Sequence, residues 1–235
     1  MKKIFNAKNL IRFIFLTFIA STIFIIIRII FAPAVALSSD IAVRVKSDYV
    51  LMLLQCILGI FAMLLPGFLK SKINLNIPTF MLIVYVLFLY FGIYLGEVRN
   101  FYYIIPHWDT ILHTFSGVAI GALGFSVVSL LNKSEATTFS LSPVFVALFS
   151  FCFAVSLGVI WEFYEFTMDY FLNTNMQKYA LENGELLIGQ VALIDTMKDL
   201  IVNAMGAGVM SVIGYISLKY NKGWLVRWQI KLSAE

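Results

Sequence analysis

The sequence is short of charge. Only 13% of its 235 residues are Asp, Glu, Lys or Arg, about half the roughly 25% of a soluble domain. That shortage excludes a globule exposed to water on all sides. Cysteine is scarce too. Cys56 and Cys152 each fall in the middle of a different apolar run, which suggests neither a disulfide framework nor a Cys-based metal site and reads as two small hydrophobes buried in lipid. GxSxG, HExxH and Walker patterns are missing, so the hydrolase, zinc-protease and nucleotide-hydrolase classes they mark gain no support. Internal repeats are missing as well. The net charge of +4 carries no nucleic-acid reading, because the Lys and Arg lie in short segments between apolar runs.

What the chain has in quantity is apolar length. Hydrophobic residues make up 61% of it, and several runs approach the roughly 20 residues needed to cross a bilayer as a helix. The expected fold is an all-α polytopic membrane helix bundle of about six transmembrane helices. Residues 1–235 form a single integral membrane domain: 1–100 hold three spans without a recognised motif, and 101–235 hold three that carry polar residues. Lys2, Lys3, Lys8 and Arg12 precede the first apolar run, which ends near Phe31. Ala34-Val35-Ala36 is patterned like a signal cleavage site, yet the run is longer than a signal core and Arg28 interrupts it, so the first span is expected to be retained. The second span covers about Tyr49–Leu69, the third Pro78–Gly96, the fourth Asp109–Leu131, the fifth Pro143–Asp169 and the sixth Asp195–Leu218. Phe101-Tyr102-Tyr103 reads as an interfacial belt, and Asn183-Gly184 as a turn in the long connector before the sixth span.

Basic residues set the expected orientation. Eleven of the 17 Lys and Arg fall on one side: the four near the start, Lys70 and Lys72, Lys133, and Lys219, Lys222, Arg227 and Lys231 in the tail. By the positive-inside rule both termini are cytoplasmic. Of the 13 acids only Glu135 and Glu235 fall on that side.

The same topology brings three polar clusters to the outer ends of spans four to six. Asp109 and His113 are four apart, and His107 precedes them. Glu162, Glu165 and Asp169 are spaced three and four apart. Asp195, Asp199 and Asn203 step by four twice. Each set occupies one helix face. Gly117 and Gly121 form a small-xxx-small pair, and Gly206 follows Asn203; such residues let helices approach closely in lipid. The spacing therefore predicts that the clusters meet.

Asp109-x-x-x-His113, Glu162-x-x-Glu165 and Asp195-x-x-x-Asp199-x-x-x-Asn203-x-x-Gly206 resemble the uncharacterised bacterial inner-membrane YjdF-like family. The order Asp-x-x-x-His, a Glu-bearing helix, then Asp-x-x-x-Asn-x-x-Gly is similar, more distantly, to the VanZ-like family, which includes proteins linked to glycopeptide resistance. The sequence departs from that second pattern at Glu165, where Gln is expected, and has no clear Arg ahead of Asp199. The match covers about Pro106–Tyr215, and neither resemblance implies a settled activity.

Charge at bilayer depth costs roughly 2.5–3.5 kcal/mol per group on insertion scales, so the cluster needs compensation. Three readings stay open. In the first, a divalent metal ion is held by donors among His107, His113, Glu162, Glu165, Asp195 and Asp199; it activates water or holds a phosphate of a lipid-linked or envelope substrate, with Asp109, His113, Glu162, Glu165 and Asp199 as candidate catalytic groups. In the second, protonated acids hydrogen-bond with His113 and Asn203 in a structural network of an envelope-stress or interaction protein. In the third, the cluster belongs to a proton- or ion-coupled transporter, a reading that the nearly uncharged cytoplasmic halves of the spans disfavour. Asn203, Gly117, Gly121 and Gly206 are expected to support the site under each. Besides the bilayer, the sequence names no substrate, no metal and no oligomeric state.

Overall fold

The structure is a computed structural model and describes residues 6–33, 44–132, 141–181 and 185–232. Lys2, Lys3, Ala34-Val35-Ala36, Asp40, Lys133, Glu135, Asn183-Gly184 and Glu235 lie outside them.

The fold is all-α. In chain order the helices are α1 Ala7–Phe31, α2 Lys46–Ile73, α3 Thr79–Leu89, the short α4 Phe101–Ile104, α5 Trp108–Asn132, α6 Pro143–Leu172 and α7 Ile194–Lys219. The third span runs on from α3 as a π-helix over Tyr90–Val98. Six helices among the described residues are long and apolar enough to cross a membrane. Helices are what such runs must form, because lipid offers no hydrogen bonds and every backbone group has to be satisfied within its own segment.

The boundaries follow local chemistry. Asn6 caps α1 by accepting from the Lys8 amide at 3.1 Å. Asp48 in the first turn of α2 accepts from the Val45 amide at 2.8 Å. Ser142 accepts from the Phe145 amide at 3.2 Å with Pro143 at the first helical position, where a missing N–H costs nothing. Arg44 donates to the carbonyls of Glu97 (3.1 Å) and Val98 (3.2 Å), acceptors that the end of the π-helix would leave open. Helix α6 continues three residues past the expected Asp169, and α2 starts three residues before the expected Tyr49. Polar residues with local partners extend a helix beyond its apolar run.

The residues group into two compact units. The first comprises Met1–Met63, Leu89–Trp108 and Ile160–Lys198; the second comprises Leu64–Phe88, Asp109–Val159 and Asp199–Glu235. In the first, Ile25, Tyr49, Met52 and the fully buried Cys56 form a core, and the Arg28 guanidinium donates to the Tyr49 hydroxyl at 3.0 Å. Cys152 is exposed. The connector before α7 folds as a short antiparallel pair, with Ala180 opposite Leu186, flanking the expected turn.

The second unit carries the helix crossing that positions the polar residues. Gly117 lies against the Asn203 carbonyl, Gly206 against the Thr114 carbonyl, Gly121 against Met210 and Gly214 under the Phe125 ring. From Gly117 with Asn203 through Gly121 with Met210 to Phe125 with Gly214 the partners rise together along both chains, so α5 and α7 run parallel. Helix α6 runs the other way between the same neighbours: Gly158 meets Asn203, while Ala147 accepts from Ser211 at 3.0 Å. A core of Ala122, Phe125, Val128, Val146, Met210 and Leu225 fills the unit. The strands β1 (Leu75–Asn76) and β2 (Lys231–Leu232), two residues each, pair antiparallel outside the spans.

The crossing gives a direct test. A methyl added at Gly206 would fall on the Thr114 carbonyl, whereas one at Gly208 meets only the Phe151 ring at 3.9 Å. Gly206→Ala is expected to destabilise by about 1–3 kcal/mol and Gly208→Ala to stay within about 0.5 kcal/mol, read as thermal unfolding in detergent.

Candidate functional site

The second unit assembles a buried acidic triad. Asp109 lies in the first turn of α5, His113 one turn later on the same face, and Asp199 on α7. His113 Nε2 is 3.5 Å from Asp109 Oδ1 and 3.9 Å from Asp199 Oδ2. One ligand atom from each residue can be chosen so that all lie within 4.8 Å of one another. The side chains of Asp109, His113 and Asp199 keep 18%, 11% and 2% of their exposure. Burial that deep in an apolar span leaves little water to screen two carboxylates.

Asn203, one turn below Asp199, forms the floor, though with a different partner from the expected Asp199 or His113. Its Nδ2 donates to Ser116 Oγ at 3.1 Å, and that hydroxyl donates to the His113 carbonyl at 2.8 Å. Gly158 makes room for the amide: a Cβ there would sit 2.7 Å from Asn203 Oδ1. Ser116 lies three residues after His113, so helical spacing could have singled it out. Gly117, Gly121 and Gly206 lie between α5 and α7, Gly117 and Gly206 at backbone distance.

The first unit holds the remaining candidates. Glu162, Glu165 and Asp169 are all buried, while Phe163, Phe166 and Tyr170 between them are exposed, so the spacing of three and four does define one inward face of α6. Glu165 Oε1 accepts from Trp161 Nε1 at 2.8 Å, and the Trp161 and Tyr164 rings lie 5.1 Å apart. Gln177 Nε2 bridges Glu162 Oε2 (3.4 Å) and Thr196 Oγ1 (3.0 Å). Asp195 pairs with Lys178 Nζ at 3.2 Å. His107 is exposed, with a left-handed φ of 61° in the turn before α5.

Asp169 organises the connector that follows α6. Its Oδ1 accepts from Thr174 Oγ1 (2.6 Å) and the Met176 amide (2.7 Å), and its Oδ2 from the Gln177 amide (2.9 Å). The connector doubles back through left-handed residues Asn173 and Lys178, and the carboxylate satisfies the amides that this turn exposes. Gln177, Lys178 and Thr196 carry no motif; only the fold of the connector makes them site residues.

Chemically, the triad offers carboxylate oxygen and imidazole nitrogen to one small volume. Around a divalent ion bound at roughly 2.0–2.2 Å, donors lie about 3–4 Å apart, so the triad reaches coordination distance by shifts of under about 1 Å. Oxygen-rich donors with one imidazole suit Mn, Fe, Zn or Mg.

Comparison with known proteins locates the chain among others. The profile of a family described as Predicted membrane protein (DUF2238) matches residues 11–220, and this is the family that the YjdF-like resemblance points to. An uncharacterized protein of Thermotoga maritima is 32% identical over 121 residues, which cover 52% of this chain and 54% of that protein. The chain thus spans about half the length of that relative. No solved structure matches.

The connector makes a prediction independent of any ligand. Asp169→Ala removes the acceptor of the Met176 and Gln177 amides; hydrogen exchange at both is expected to rise at least about tenfold, since hydrogen bonds to charged groups contribute about 1.5–3 kcal/mol each. Unchanged protection would show that Asp169 does not hold the connector.

Proposed function

This chain belongs to the DUF2238 family of predicted membrane proteins, whose description names a place and no activity, and we propose that it binds a divalent cation through Asp109, His113 and Asp199. The observation that carries the reading is the convergence of two carboxylates and an imidazole within 4.8 Å. Two carboxylates with a neutral imidazole carry a charge of −2, which one divalent cation cancels. Shared protons would cancel it as well, and the metal analysis below separates the two. The Asn203–Ser116 chain fixes the helix backbone beneath His113, the kind of support that orients a ligand before its ion arrives.

The sequence adds His107, Glu162, Glu165 and Asp195 to the donor set on the strength of their shared depth in the six-span order. That wider set is the alternative donor set, which the variants below decide. A bound cation would polarise a water or a phosphoryl oxygen; the corresponding substrate is a lipid-linked or envelope compound on the outer side. The orientation is part of the same proposal: a bacterial inner membrane, with the connector between α2 and α3 and the segment after α7 cytoplasmic. Lys70, Lys72, Lys219, Lys222, Arg227 and Lys231 support it, since among described residues the second unit has no acid besides Asp109 and Asp199. Reporter fusions after Lys72 are expected to read cytoplasmic and those after Arg99 external; an external reading after Lys72 overturns the orientation.

Metal analysis tests the site. The purified protein is expected to retain a transition metal or Mg through dialysis. Asp199→Asn should lower its affinity by more than the roughly 10–100-fold that follows loss of an outer-shell partner, and Val209→Ala, at an exposed position of the same helix, should leave it unchanged. Glu162→Gln and Glu165→Gln decide the wider donor set. If Asp199→Asn keeps both the metal content and the thermal stability of the parent, the triad is a proton-sharing network.

A further inference from the structure

The chain after α7 is not a loose tail. Leu225 and Ile230 are buried, the Ile230 amide donates to Ser126 Oγ at 2.7 Å, and Trp228 meets Phe80 edge-on at 5.1 Å. The Trp224 amide donates to Ser217 Oγ at 3.2 Å, and β2 pairs with β1. These contacts fix the segment across the ends of α5, α6 and α7. Beneath it lies a cavity of about 260 Å³, lined by Phe125, Val128, Ser129, Val146, Leu218 and Trp228 among others. It sits where three spans end.

The outward side of the same segment has the opposite chemistry. Lys222, Arg227 and Lys231 are exposed, alternating with exposed Tyr220, Trp224 and Val226. Lys219 lies over the rings of Tyr215 (5.2 Å) and Tyr220 (5.5 Å). Lys70 and Lys72 end α2, beside the connector that holds β1. The described residues of these connecting segments include no acid to offset the six cations. Exposed cations and aromatic rings on the segment that covers a largely apolar cavity match one molecule in each part: an anionic phospholipid. Its acyl chain meets the cavity walls, its phosphate meets Lys and Arg, and its glycerol region meets Trp and Tyr.

We propose that the segment after α7 and the cavity it covers form a binding site for an anionic phospholipid, with an acyl chain in the cavity and the phosphate on Lys219, Lys222, Arg227 and Lys231. The site is independent of the cation centre, being built by other residues.

The probes are dioctanoyl phosphatidylglycerol, dioctanoyl phosphatidylcholine and inorganic phosphate, added to the full chain in detergent. At about a hundredfold excess over its Kd, phosphatidylglycerol is expected to raise Tm by about 5 °C or more. Phosphatidylcholine should raise it by much less, and phosphate, lacking the chain, not at all. The double variant Lys222→Gln/Arg227→Gln, at exposed positions, should abolish the preference between the two lipids. Ser129→Phe should fill the cavity and weaken both. Equal shifts from the two lipids, or a preference that survives the double variant, overturn the proposal. A full shift from phosphate alone shows a free-anion site and overturns it as well. Should Ser129→Phe fail to fold, the double variant decides.

Discussion

The contact on which the second unit depends is the backbone approach of α5 and α7. With Gly117 on the Asn203 carbonyl and Gly206 on the Thr114 carbonyl, no side chain separates the two helices. In lipid the hydrophobic effect does not drive helices together, so close packing of small residues has to. Everything polar in this unit is arranged from that crossing. One turn before it on each helix stand His113 and Asp199. At it stands Asn203, whose amide is caught by Ser116 from α5 and accommodated by Gly158 of α6. A larger residue at any of these glycines would move the carboxylates apart by about the width of a methyl group.

Buried charge is the second constraint, and the two units meet it differently. In the first, each acid on α6 has a neutral donor: Trp161 for Glu165, Gln177 for Glu162, and a hydroxyl with two amides for Asp169. Asp195 has a cation, Lys178. In the second, Asp109 and Asp199 face the same imidazole. The convergence of two carboxylates and an imidazole is why the cation is proposed at the triad.

Much of this was legible in the sequence. The six spans follow from apolar length alone, which lipid turns into helix without alternative. The inward face of Glu162, Glu165 and Asp169 follows from spacing, as do Asp109 with His113 and the glycines at the crossing. What could not be read depends on long-range geometry. Spacing puts Ser116 near His113, but that Asn203 is its partner follows only from the helix crossing. Asp169 serves the connector because the chain turns back at Asn173. The π-helical half of the third span leaves no trace in a segment where almost every residue is apolar, since a change of helical period is visible only when polar and apolar residues alternate.

The most direct test of the account is the coordination of Mn²⁺ loaded into the purified protein, read by pulsed electron paramagnetic resonance. The account predicts a nitrogen coupling from one imidazole, lost in His113→Gln and retained in a variant of the exposed His107. A spectrum of hydrated Mn²⁺ with no nitrogen coupling, in protein shown to be folded, would contradict it.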